Sequence, residues 1–161
     1  MKLSSLKINS TRAEQGAWVK DIPGMGDLRL RVRGFSNSDY AAFMAREVAA
    51  VPRDQREGGR RDGALKQKAR DTLLLRGMVE HILVDWDGLT DDNDKPLPFS
   101  KEQAMDLLLD PDLRPFREAV AFAAGEVEEA ESDRVEAVVG NSSPASGGKP
   151  SGRRKQSTSA G

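Results

Sequence analysis

Residues 64–85 read ALKQKARDTLLLRGMVEHILVD, and how they fold decides the class of the whole chain. Leu75, Met78, Val79, Ile82 and Leu83, with Trp86 just beyond, repeat at helical spacing and make a broad apolar stripe. The spacing predicts one long central helix ending where Gly88, Pro96 and Pro98 forbid continuation. Upstream, residues 37–51 predict another helix, with Tyr40, Phe43, Met44, Val48 and Val51 on one face and Pro52 as its stop. Ser36 or Asn37 is placed to cap that helix by accepting from a free backbone N–H. Downstream, Ser100 followed by Gln103 forms a capping box for a helix over 101–109. A fourth helix is expected over 115–131, with Phe116, Ala119, Val120, Ala123 and Val127 inward.

One segment obeys a different period. In residues 17–35, AWVKDIPGMGDLRLRVRGF, the apolar Leu28, Leu30 and Val32 alternate with Arg29, Arg31 and Arg33. Residues 18–22 supply a partner strand, and Pro23, Gly24 and Gly26 supply turn chemistry, so a β-hairpin is predicted. Residues 52–63, PRDQREGGRRDG, have no apolar anchor beyond their proline and read as a mobile linker. The expected fold is therefore mainly α: a small domain of about four helices over residues 1–139, with an N-terminal β-hairpin. Residues 140–161 hold no aromatic or branched aliphatic side chain and read as a disordered, basic, Ser/Gly-rich tail.

Composition narrows the chemistry. The chain has 161 residues, 37% hydrophobic and 32% charged, with no cysteine and one histidine. Disulfides, thiolate metal sites and cysteine nucleophiles are thereby excluded. No apolar run approaches a membrane span or a signal segment, so a soluble, cytoplasmic chain is expected, without membrane attachment. The net charge of −1 conceals an acidic stretch over 85–139, with 16 acidic and 5 basic groups, between segments of net positive charge. Such polarity suits complementary protein surfaces.

No catalytic or metal constellation emerges. Asp85, Asp87, Asp91, Asp92 and Asp94 form an acidic cluster, but an EF-hand register started at Asp91 puts Lys95 and Pro96 where a ligand and a glycine are required. His81 flanks the apolar stripe without a positioned partner, and no serine elbow or phosphate-cradling glycine loop is present. The chain is read as a non-enzyme without cofactor. Arg29, Arg31, Arg33, Arg53, Arg56, Arg60 and Arg61, with Lys149, Arg153, Arg154 and Lys155, suit phosphate contacts, but no recognition helix or stacking platform accompanies them, so nucleic acid ranks third among the partners considered. Leu107, Leu108 and Leu109 cannot all face one side of a helix, so at least one borders the surface. An apolar edge near Trp86, Leu107, Leu108 and Phe116 is the expected partner-binding site, with acidic groups around it steering basic partner segments.

Residues 85–120, DWDGLTDDNDKPLPFSKEQAMDLLLDPDLRPFREAV, carry a family likeness. Trp-Asp-Gly-Leu, an acidic turn, Lys-Pro-Leu-Pro-Phe-Ser and a short helix ending before Asp-Pro resemble the tail assembly chaperones of long, non-contractile-tailed bacteriophages and prophages. Residues 18–34 resemble the opening of the same proteins, and the likeness spans roughly 12–130. It implies a non-catalytic protein of the host cell cytoplasm, absent from the mature virion. Such a protein binds the tape measure protein, keeps it soluble and helps recruit tail tube protein. The alternative is a structural tail or head–tail completion protein retained in the virion. Surplus apolar stripes and an unpaired strand edge also predict a homo-oligomer when partners are absent.

Overall fold

The computed structural model describes residues 1–129. Its elements follow in the order α1 (Ser10–Gln15), β1 (Ala17–Val19), β2 (Arg29–Val32), α2 (Ser38–Ala50), α3 (Gln67–Gly77), β3 (Leu83–Asp87), α4 (Lys101–Leu109) and α5 (Arg114–Glu128). Short 3-10 turns punctuate the connections. The strands form one antiparallel sheet in the order β1-β2-β3, with Trp18 opposite Arg31 and Leu30 opposite Trp86.

This corrects the expected fold class. The chain is mixed α/β, with five α-helices and a three-stranded sheet among the described residues, not a four-helix domain bearing a two-stranded hairpin. The correction lies in residues 64–85. Their helix runs only from Gln67 to Gly77, and one π-helical turn, Met78–Ile82, follows it. The N–H of Leu83 bonds to Met78 O, five residues back, and the chain then extends as β3. Periodicity points to the helix, because Leu83 and Trp86 are three residues apart, and the strand buries both only through a register shift opposite Arg31 and Val32. The sheet decides: two strands alone are marginal in water, and β3 gives β2 its second neighbour.

Residues 52–63 also depart from expectation. They fold back on themselves, with Glu57 N bonded to Ala64 O at 2.8 Å and Lys66 N to Gln55 O at 2.9 Å. Arg56, though charged, is buried. Its guanidinium donates to Val51 O at 3.2 Å and to Val48 O at the end of α2, and to Gly63 O at 3.0 Å in the loop, stapling the loop to the helix end. The fourth predicted helix is α5, which ends at Glu128, and residues 140–161, expected to be a disordered tail, lie outside the described residues.

The core lies between one sheet face and the helices. Val19, Leu30, Val32, Leu83 and Trp86 face α5, which contributes Phe116, Ala119, Val120, Ala123, Ala124 and Val127, and Ala104 and Leu108 of α4 close one side. Four alanines among these let helix backbones approach the sheet closely. Between α2 and the end of α3 the close approach depends on Gly77, where a β-carbon would sit 2.7 Å from Tyr40 Cε2.

Candidate functional site

The pattern Trp86, Leu97, Phe99, Ser100 and Phe116 folds into one unit. Trp86 is held from β3 with its ring in the core, and its Nε1 donates to Leu97 O at 2.8 Å. Phe99 meets that ring edge-on at 4.9 Å and Phe116 at 6.0 Å. Ser100 accepts from Gln103 N at 3.0 Å and starts α4, and Asp110 accepts from Asp112 N at 2.9 Å as the chain turns into α5. Between them the acidic turn is satisfied locally. Asp91 Oδ1 accepts from the backbone N–H groups of Asn93 and Lys95, an Asx-type arrangement.

The four residues expected at a partner-binding edge are thus distributed unequally. Trp86, Leu108 and Phe116 are buried, with the rings of Trp86 and Phe116 in contact, and Leu107 is half-buried against the core. The exposed member of the leucine run is Leu109, at 49%. Leu113 at 37% and Phe122 at 40% join it as exposed apolar residues of this half of the chain. Phe122 borders a groove of about 410 Å³ lined by Ile22, Pro23, Met25, Pro115 and Ala119, where the turn between β1 and β2 meets α5. Periodicity alone misses Phe122, because α5 buries the face one residue away, at Ala119, Ala123 and Val127. A second missed residue is Trp18, 46% exposed on the open face of the sheet. Its cross-strand partner, Arg31, is outward-facing, and the register therefore turns Trp18 outward too.

Several of the arginines considered for phosphate contacts are engaged within the chain. Arg29 pairs with Asp87, and Arg33 pairs with Asp39 at 2.7 Å and Glu14 at 3.2 Å. Arg56 is the buried staple, and Arg60 pairs with Asp62 at 3.0 Å. The tail cations lie outside the described residues. The hydrogen bond from Arg33, and then its charge, hold the Asp39 carboxyl below its ordinary value. A hydrogen bond from Lys101 Nζ, at 2.7 Å, does the same for Glu80. His81 stacks obliquely on Phe43 at 5.0 Å, and its backbone carbonyl accepts from Asn37. Among the described residues no group of three or more acidic or histidine side chains is placed to hold a metal ion.

No curated protein and no solved structure matches the chain. The family model described as YdaY prophage protein does, over residues 35–141. That stretch is well over half of the chain, and it takes in α2 to α5, β3 and the whole Trp86–Phe116 unit. The chain belongs to the YdaY prophage protein family and is a prophage-derived protein.

Proposed function

We propose that this prophage protein is a tail assembly chaperone. It binds the tape measure protein in the host cytoplasm, keeps it soluble, helps recruit tail tube subunits and leaves before the virion is complete. The observation that carries the reading is the composite pattern of residues 85–120, which resembles that of tail assembly chaperones and here forms one packed unit around Trp86. The unit buries its own aromatic rings, so the contact with a partner falls to the apolar residues left outside: Leu109, Leu113 and the groove beside Phe122. An amphipathic partner helix laid there loses apolar surface to the groove without any rearrangement of the core. Acidic groups nearby, Glu118 in the groove wall and Asp106, Asp110 and Asp112 around Leu109, favour a basic flank on that helix. Self-association without the partner belongs to the same reading, since β1 is an edge strand of the sheet.

Co-expression with the tape measure protein of the same prophage tests this. The partner is expected to move from the insoluble to the soluble fraction, and Phe122→Ser is expected to reduce that transfer. Equal insolubility with and without this chain overturns the reading. Stoichiometric copies in purified particles favour the structural-protein alternative instead.

A further inference from the structure

α5 contains a glycine that its own chain does not require. Gly125 is exposed inside a 15-residue helix, and a β-carbon added there meets nothing within 4 Å. An interior helical glycine lowers stability relative to alanine, so its presence calls for a contact from outside. Ala121 and Phe122 are exposed on the same side of the helix, which sets an aromatic ring beside nearly bare backbone. A second uncovered surface lies at residues 1–8. Met1, Leu3, Leu6 and Ile8 are each at least half exposed, and the 3-10 turn Leu3–Leu6 buries none of its residues. Residues three apart eclipse in such a turn, so Leu3 and Leu6 form one apolar ridge. The base of this arm is pinned at the C-terminal end of α5, where Asn9 N donates to Glu128 O at 2.9 Å and Arg12 Nη1 to Glu126 O at 3.4 Å. The Phe122 groove opens nearer the other end, between Pro115 and Phe122. Arm and groove are complementary in charge as well as in apolarity. Residues 1–12 hold three cations and no anion, and residues 110–129 hold six anions and two cations.

We propose that two copies of the chain pair through antiparallel α5 helices, with Phe122 of each over Gly125 of the other and each arm lying in the other's groove. The direction follows from position. With Phe122 opposite Gly125, Glu128 falls opposite Ala119 of the second copy, and the base of the arm comes beside that copy's groove. One path then covers every apolar residue of the arm. Ile8 meets the ring of Phe122, the Leu3–Leu6 ridge enters between Ala119 and Met25, and Met1 reaches Leu113, exposed just before Pro115. Along the same path Lys7 comes to Glu118 and Lys2 to Asp112. Glu118 pairs with Arg114 at 2.8 Å within its own chain, but both side chains are largely exposed, and such a pair exchanges partners at little cost. Two acidic α5 faces brought together alone repel, and the arm supplies the cations between them. A second copy is favoured over a fold-back within one chain for two reasons. The arm stands clear of its own groove, and only another α5 covers Gly125. The pairing is closed and twofold, and it does not use the β1 edge. It stands apart from the chaperone reading, although a partner helix bound at the groove must first displace the arm.

Light scattering on the full chain, across a range of concentrations and with no other protein present, tests the pairing. The mass is expected to rise from 17.6 kDa to a plateau at twice that value. A constant mass overturns the proposal, and a mass that climbs without a plateau overturns it in favour of an open chain of copies. Leu3→Ser with Leu6→Ser is expected to raise the dissociation constant about tenfold or more. Unchanged association in that variant overturns the proposal and leaves the β1 edge as the contact. Gly125→Ala separates the interface from the fold. Its urea midpoint at monomeric concentration is expected to hold or rise, while its association weakens about tenfold. A lower midpoint, or association equal to the parent, overturns the packing of Phe122 over Gly125. Carbodiimide coupling of mixed 14N- and 15N-labelled chains, read by peptide mass spectrometry, is expected to join Lys7 to Glu118 in mixed-isotope products. Products of a single isotope alone overturn the pair in favour of a fold-back, and absence of the product overturns the path of the arm.

Discussion

Asn37 caps α2 with its side-chain oxygen, which accepts from Tyr40 N at 2.8 Å, and uses its amide to donate to Gly34 O at 2.7 Å and His81 O at 3.1 Å. The residue is fully buried, so these bonds exchange with no water. It ties the end of the hairpin region, the start of α2 and the π-helical turn together. Asn37→Ala removes a cap and the side-chain donor to two buried carbonyls, of which Gly34 O keeps the residue-37 backbone N–H, and the loss is expected to reach about 2–3 kcal/mol by urea denaturation. Two carboxyls give the acid limb of stability. Asp39 beside Arg33 and Glu80 beside Lys101 both have folded values below the ordinary 3.8 and 4.5. The folded chain therefore binds these protons less readily than the unfolded chain. Their contribution is complete above about pH 5 and is lost as pH falls through the lowered folded values. A urea midpoint followed downward from about pH 6 is expected to decline in that window, and less steeply in Glu80→Gln. Both groups are largely exposed, so added salt should shrink the effect.

At the scale of elements, the change from α3 through the π-helical turn into β3 organises the fold. The turn adds a residue to the helical path and delivers Ile82 and Leu83 to the core in succession, which a continued α-helix would swing apart by its period. β3 then ends at Gly88, whose φ of +84° is left-handed and whose β-carbon, if present, would meet Asp27 O at 2.8 Å. Gly88→Ala carries both penalties, backbone strain and a clash with a backbone oxygen that cannot rotate away. It is expected to cost about 1–3 kcal/mol in chemical denaturation. The outer edge of β3 is guarded by its own sequence, since Asp85 Oδ1 accepts the Trp86 N–H at 2.8 Å. A carboxylate in that place discourages strand addition on this side.

For the molecule as a whole, the same helix serves stability on one face and is available for recognition on another. Phe116 is in the core of α5, against Trp86, whereas Phe122 stands at the groove. Phe116→Ala is expected to destabilise by about 3–5 kcal/mol, the range for truncating a buried aromatic side chain. Phe122→Ser is expected to leave the denaturation midpoint within about 0.5 kcal/mol of the parent, as for surface positions generally. Paired denaturation curves of the two variants check the split. A core side chain at 122 would make their curves fall together.

Local signals in the sequence were sufficient wherever one residue and its neighbours settle the matter. Alternation over residues 28–32 is a strand with Leu30 and Val32 inward, and Asn37 and Ser100 cap the helices they precede. The crowding of three leucines forced one outward, and that one is Leu109. Tertiary structure alone decided the rest. Leu83 and Trp86, three apart, suit a helix by spacing, and they became part of β3 because β2, far earlier in the chain, had a vacant edge to fill and the register shift between Arg31 and Val32 lets both turn inward. α1 has six residues and buries only Ala13, too little for any periodic signal. Arg56 reads as a solvated loop arginine until the end of α2 brings two carbonyls to it and the loop's own Gly63 a third. Trp86, Leu108 and Phe116 differ in the same way: apolarity marks them for contact, but whether the contact is with the chain itself or with another depends on which surfaces the packed fold has already used.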